Sequence, residues 1–139
     1  MQKVMAFCLL LVLGTSASAQ VYVQGGASVT SQANIGGDLS IGFVAQKTTL
    51  SVGYLALMDN DEPLMLNVQA GYRLNNAWRI YGGYVRKHFS SDVKLNNNHS
   101  WLGGVEYNSK RFMRGNFYYS ANYIPQYFFV TVGMKFNYR

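Results

Sequence analysis

From Val21 onward the chain alternates apolar and polar side chains with a period of two, the signature of half-buried strands rather than helices. Val21, Val23, Gly25, Ala27 and Val29 share one face, with Tyr22, Gln24, Gly26, Ser28 and Thr30 on the other. Turn-forming residues interrupt the alternation about every 15 positions, at Ser31–Asn34, Gln46–Thr48, Asp59–Pro63, Asn75-Asn76, Ser91–Ser100, Asn108–Arg114 and Ile124–Gln126. Seven further segments repeat the pattern: 38–45, 50–57, 64–73, 78–90, 101–107, 116–123 and 128–138. No helical segment separates them. The pattern predicts an all-β fold, an antiparallel up-and-down sheet of eight strands. Eight strands close into a barrel whose interior is just filled by side chains.

The two faces decide which way the barrel is turned. The polar face is mostly Ser, Thr, Asn, Gln, Gly and Tyr, and its clear in-strand charges are Asp38, Arg73, Arg79, Lys87, Glu106 and Lys135. A soluble surface carries roughly 25–35% charged residues, so this face suits a packed polar interior. Asp38 and Glu106 are expected to pair there with Arg73, Arg79 and Lys135, since unpaired charges in a narrow barrel are costly. Nearly every strand also places a glycine on this face, as at Gly26, Gly42, Gly53, Gly104 and Gly133, which makes room beside Arg, Tyr and Gln. The apolar face, rich in Tyr and Trp, is then expected to meet lipid. Closure satisfies every backbone group, as lipid requires. A soluble lipocalin-like carrier would have to show water this uncharged face.

The first residues have a different pattern. Lys3 precedes an apolar run from Val4 to Leu13, too short to span a bilayer, and Ala17-Ser18-Ala19 forms an A-x-A cleavage site. Residues 1–19 are therefore expected to be a cleaved signal peptide and 20–139 a single barrel domain. Cys8 lies in the signal, which excludes a disulfide framework or thiolate site from the mature chain. The sequence holds 12 Lys and Arg against 6 Asp and Glu, a formal charge of +6. In an exported protein this suits lipid phosphates rather than nucleic acid. With the N-terminus in the periplasm, the longest loop, Ser91–Ser100, falls on the outer side.

The eight alternating strands, the polar interior and the closing aromatics Phe136 and Tyr138 resemble the small eight-stranded outer-membrane barrels of the outer membrane protein X and A transmembrane type. The resemblance covers the whole mature chain. It implies an outer-membrane location, insertion by the barrel-assembly machinery, a monomer, and a plugged lumen rather than a general porin.

One local constellation could carry chemistry. In Tyr84-Val85-Arg86-Lys87-His88-Phe89-Ser90, His88 and Ser90 stand two apart and project to the same face as Trp78 and Tyr84, near the outer interface. This segment, with a tryptophan ten residues upstream, resembles lipid A 3-O-deacylases. That likeness implies a histidine base, a serine nucleophile and a glutamate on the following strand. The glutamate's position is Leu102 here, and Glu106 has lumenal parity. Arg86, Lys87 and Lys94 gather positive charge suited to lipid A phosphates. Lys110, Arg111 and Arg114 read as a solvated periplasmic turn. His99 has no Cys, His or carboxylate at metal spacing, so neither a metal nor a cofactor is expected. The leading expectation is a structural or surface-interaction barrel whose outer loops touch lipopolysaccharide or an external partner; the alternative is a lipid A hydrolase using His88 and Ser90.

Overall fold

The computed structural model describes residues 19–57, 64–88, 99–125 and 127–138. They form eight strands in chain order: β1 (Gln20–Thr30), β2 (Ile35–Ala45), β3 (Thr48–Leu57), β4 (Leu64–Arg73), β5 (Trp78–His88), β6 (His99–Phe112), β7 (Gly115–Ile124) and β8 (Tyr127–Tyr138). Each strand pairs antiparallel with its neighbour, and β1 pairs with β8 from Val21↔Tyr138 to Thr30↔Phe129. The sheet is thus a closed barrel with no free edge. The described residues contain no helix. The signal segment expected at 1–19 falls almost wholly outside them.

Alternation sorts the side chains as the two faces demand. Tyr22, Gln24, Ser28 and Thr30 of β1 are buried, while Val21 and Val29 are exposed. Between its rims the outer wall is apolar: Leu39 is 60% exposed, Ile41 50% and Trp101 58%. Such a wall far exceeds the few hundred Å² of contiguous apolar surface that a soluble monomer shows water. Aromatic rings collect near both rims. Trp78 packs on Tyr107 with centroids 5.0 Å apart, and Tyr107 lies 6.3 Å from Tyr119. Toward the other rim, Trp101 and Tyr123 lie 5.4 Å apart.

The tight hairpins bend at positive φ without glycine. Gln46 opens the two-residue turn between β2 and β3 at φ 55°, and Met113 opens that between β6 and β7 at φ 55°. A positive φ at the first central residue alone is the type II′ pattern, which matches the twist of the flanking strands. The stretch Asn108–Arg114, expected as a turn, is mostly strand: β6 runs on to Phe112 and only Met113-Arg114 turn. At its other end β6 begins at His99, inside the expected polar loop. Ile124, expected in a turn, closes β7 with a fully buried side chain.

Candidate functional site: a lumen with one plugged and one open end

Four layers follow one another along the lumen, and their chemistry changes along the axis. At the rim where β1 and β7 end, Leu55, Met65, Val85, Leu102, Ile124 and Phe129 are all buried and form one apolar cluster, with Tyr81 at its base. These side chains have the parity of the polar face. Three strands thus turn Leu or Met inward at one height, and the barrel is corked there by hydrocarbon.

Below the plug lies a hydrogen-bonded layer. Tyr81 donates to Asn122 Oδ1, and Asn122 Nδ2 donates to Ser120 Oγ at 3.0 Å. Tyr118 donates to Asp38 Oδ1 at 2.7 Å. Ser28 and Thr131 share a bond of 2.7 Å across the seam between β1 and β8. Glycines make this crossing of rings possible. A Cβ at Gly42 would stand 2.6 Å from Tyr22 Cζ, and one at Gly104 would stand 2.6 Å from Tyr81 Cζ. Neither gap admits a methyl group.

The third layer is ionic. Arg79 and Glu106 face each other across β5 and β6, with Arg79 Nη2 3.4 Å from Glu106 Oε2. Lys135 of β8 reaches the other carboxylate oxygen, Oε1. Asn108 also donates to Oε1, at 2.9 Å. Arg79 donates further to Tyr22 Oη at 2.8 Å and to Gln69 Oε1 at 3.3 Å. Its guanidinium carbon sits 4.6 Å from the Tyr81 ring centroid, and Lys135 Nζ sits 4.5 Å from that of Tyr22. Glu106 is 1% exposed, and two cations with an amide hold it in place, as burial of a carboxylate requires. Of the five charged residues expected in the interior, the structure brings Arg79, Glu106 and Lys135 together. Asp38 bonds Tyr118 instead of a cation, and Arg73 stands further along the axis.

The fourth layer is open. Around the rim where β1 begins, a cavity of about 460 Å³ is lined by Arg73, Arg79, Arg111, Arg114 and Lys135, with Asn75, Asn108, Asn116 and Asn137 between them. Arg111 arrives there through a bulge. Asn108 pairs with Tyr118, and the next pair is Arg111 with Asn116, so three steps on β6 match two on β7. One inserted residue reverses the parity of the strand, and Arg111 takes the lumenal side that simple alternation gives to Lys110. Ser109 stabilises the bulge: its Oγ accepts from Phe117 N–H at 3.1 Å, and its carbonyl accepts from Asn116 Nδ2 at 2.8 Å. This vestibule was missed in the sequence, where Arg111 and Arg114 read as turn solvation. The inserted residue could have been found only from the pairing.

The outer-wall candidates are only partly placed. Arg86 is exposed at the plugged end, opposite His99 in the β5–β6 ladder. His99 Nδ1 bonds the Tyr84 hydroxyl, and their rings stack 5.4 Å apart. The backbones of Lys87 and His88 pair with Met65 and Leu64; Ser90 and Lys94 lie outside the described residues. Leu102, at the position where a deacylase carries its glutamate, points into the plug, and Glu106 is sealed in the lumen. Neither supplies an acid to the outer wall. Among the described residues no group of His, Cys, Asp and Glu is placed to hold a metal.

No protein-family model matches the chain, and no curated protein matches it. Solved structures do. The outer membrane protein Ail of Yersinia pestis, in a phospholipid bilayer nanodisc, is similar at TM-score 0.58 and 13% identity, over 87% of this chain and 100% of that one. The N-terminal β-barrel domain of Pseudomonas aeruginosa OprF is similar at TM-score 0.57 and 16% identity, over 86% and 97%. A structure from the de novo design of transmembrane β-barrels is similar at TM-score 0.62 and 14% identity, over 86% and 95%. These neighbours lend no support to the likeness to lipid A 3-O-deacylases. At such identities the kinship is one of architecture: the chain has the fold of the small eight-stranded transmembrane β-barrels.

Proposed function

We propose that the chain is a monomeric, integral outer-membrane barrel with a structural or surface-interaction role, and not a general porin. The inverted barrel with its apolar cork carries this reading. Lipid is the solvent that suits an uncharged wall between two aromatic rims, and a lumen packed at one end by Leu55, Met65, Val85, Leu102, Ile124 and Phe129 argues against a wide water-filled pore. The likeness in fold to Ail and to the OprF barrel domain supports the location. Insertion then falls to the barrel-assembly machinery. The plugged end faces outward in this reading. Arg86, with Lys87 and Lys94 nearby in the sequence, meets the phosphates of lipopolysaccharide there, Arg as a bidentate donor and Lys as a point charge.

The test is cell fractionation, heat-modifiable gel migration and planar-bilayer recording on one preparation. The protein is expected in the outer-membrane fraction, migrating differently when boiled and showing no steady large conductance. Recovery as a soluble periplasmic protein overturns the barrel's location, and a stable wide pore overturns the plug. Lipopolysaccharide contact is read from co-purification, which the combined Arg86→Gln, Lys87→Gln and Lys94→Gln variant reduces.

A further inference from the structure

The open end of the lumen has more positive charge than its own carboxylates can balance. Five cationic side chains line the vestibule and no carboxylate does. The buried Glu106 beneath it is already engaged by Arg79 and Lys135. Among the described residues Arg73, Arg111 and Arg114 are paired with no carboxylate, and Arg79 Nε is buried without a hydrogen-bond partner. A ring of arginines on a convex surface would simply be solvated. Here they converge on one concave space, and low-dielectric walls focus their field into it.

The arrangement is also built rather than incidental. Arg111 reaches the vestibule because of an inserted residue that Ser109 stabilises with two hydrogen bonds. Arg114 sits in the adjoining two-residue turn. The intervening asparagines supply neutral donors and acceptors at fixed positions. A volume of about 460 Å³ falls within the range of small-molecule sites. The apolar cluster packs the far end, so an anion that enters leaves again by the same mouth.

We propose that this vestibule binds a small oligoanion carrying two or more phosphate or carboxylate groups, clamped by the guanidinium forks of Arg73, Arg111 and Arg114 above the Arg79–Glu106–Lys135 cluster. Planar forks suit both groups because each presents paired oxygens. The site depends on the barrel alone and holds whichever side of the membrane its mouth faces.

Titration calorimetry on the full barrel, folded in an uncharged detergent without phosphate, tests this with tripolyphosphate, citrate and chloride. Saturable one-to-one binding of tripolyphosphate or citrate is expected, weakening with salt, with none for chloride. Tighter binding of tripolyphosphate than of citrate assigns the site to phosphates, and the reverse to carboxylates. Adding short-chain phosphatidylglycerol separates a lipid headgroup, which competes, from a soluble ligand, which it leaves bound.

The variant Arg73→Gln/Arg111→Gln/Arg114→Gln should bind at least tenfold more weakly. The control Lys47→Gln/Lys110→Gln removes two charges outside the cavity, as many as the pair Arg111→Gln/Arg114→Gln, and should bind as wild type does. Equal loss in both variants, or no saturable binding of either oligoanion to wild type, overturns the proposal. Heat-modifiable migration verifies that each variant is folded. If the vestibule triple does not fold, the exposed pair Arg111→Gln/Arg114→Gln answers the same question, with a tenfold loss expected and an unchanged affinity fatal.

Discussion

Glu106 is the residue on which the interior charges depend. It is the one carboxylate within 4 Å of a cation among the described residues, and two cations share it. Removing it leaves Arg79 and Lys135 buried side by side with like charge. Breaking a buried pair by deleting one partner costs about 3–5 kcal/mol, because the other partner keeps its desolvation penalty. Glu106→Ala should therefore lower the unfolding free energy in urea-titrated lipid vesicles by that amount. Glu106→Gln retains an acceptor for Lys135 and should cost less. A change below about 1 kcal/mol for Glu106→Ala would mean that water reaches the cluster from the vestibule and screens it.

At the scale of elements, the strands were legible because lumen and wall impose opposite chemistry on successive residues. Tyr22 beside Val23, or Arg79 beside Ile80, states the period in the sequence itself. The faces could be read for the same reason, since Asp38, Arg79, Glu106 and Lys135 all share one parity. Three things were not legible. The insertion in β6 leaves no mark on composition, so Arg111 looked like a turn residue. Ile124 precedes a proline and reads as a turn, although the strand persists through it. Asp38 was expected to meet a cation and bonds Tyr118 instead, because shared parity says which charges face the lumen but not which of them meet across it. The hairpins carry a prediction of their own. Gln46 and Met113 hold positive φ, a region that costs an L-residue about 1–2 kcal/mol, while glycine enters it freely at some cost in entropy. Gln46→Gly and Met113→Gly should each stabilise the barrel by about 0.5–1 kcal/mol, measured in the same unfolding titration. A loss of stability at either site would show that its side chain contributes more than its backbone costs.

For the whole molecule the decisive contrast is between a wall that faces lipid and one that faces water. Phe128 and Tyr138 stand ten positions apart on β8, about 33 Å along a strand at ~3.3 Å per residue. At a tilt of ~40° this is about 25 Å of height, the thickness of the apolar band on an outer-membrane barrel. Ile41 lies at the middle of β2 on that wall and Ile35 at its end, 50% and 57% exposed. In water the two sites are equivalent, and a charge at either would be harmless, since exposed substitutions away from special features stay within about 0.5 kcal/mol. In lipid they differ by depth. Ile41→Arg should cost about 2–4 kcal/mol and Ile35→Arg about 0–1 kcal/mol in vesicle refolding equilibria. The order matters more than either value, because both side chains are about half exposed and neither fills the lumen. Equal costs at the two depths would mean that no hydrocarbon gradient crosses the wall. The apolar exterior would then need a protein partner to cover it.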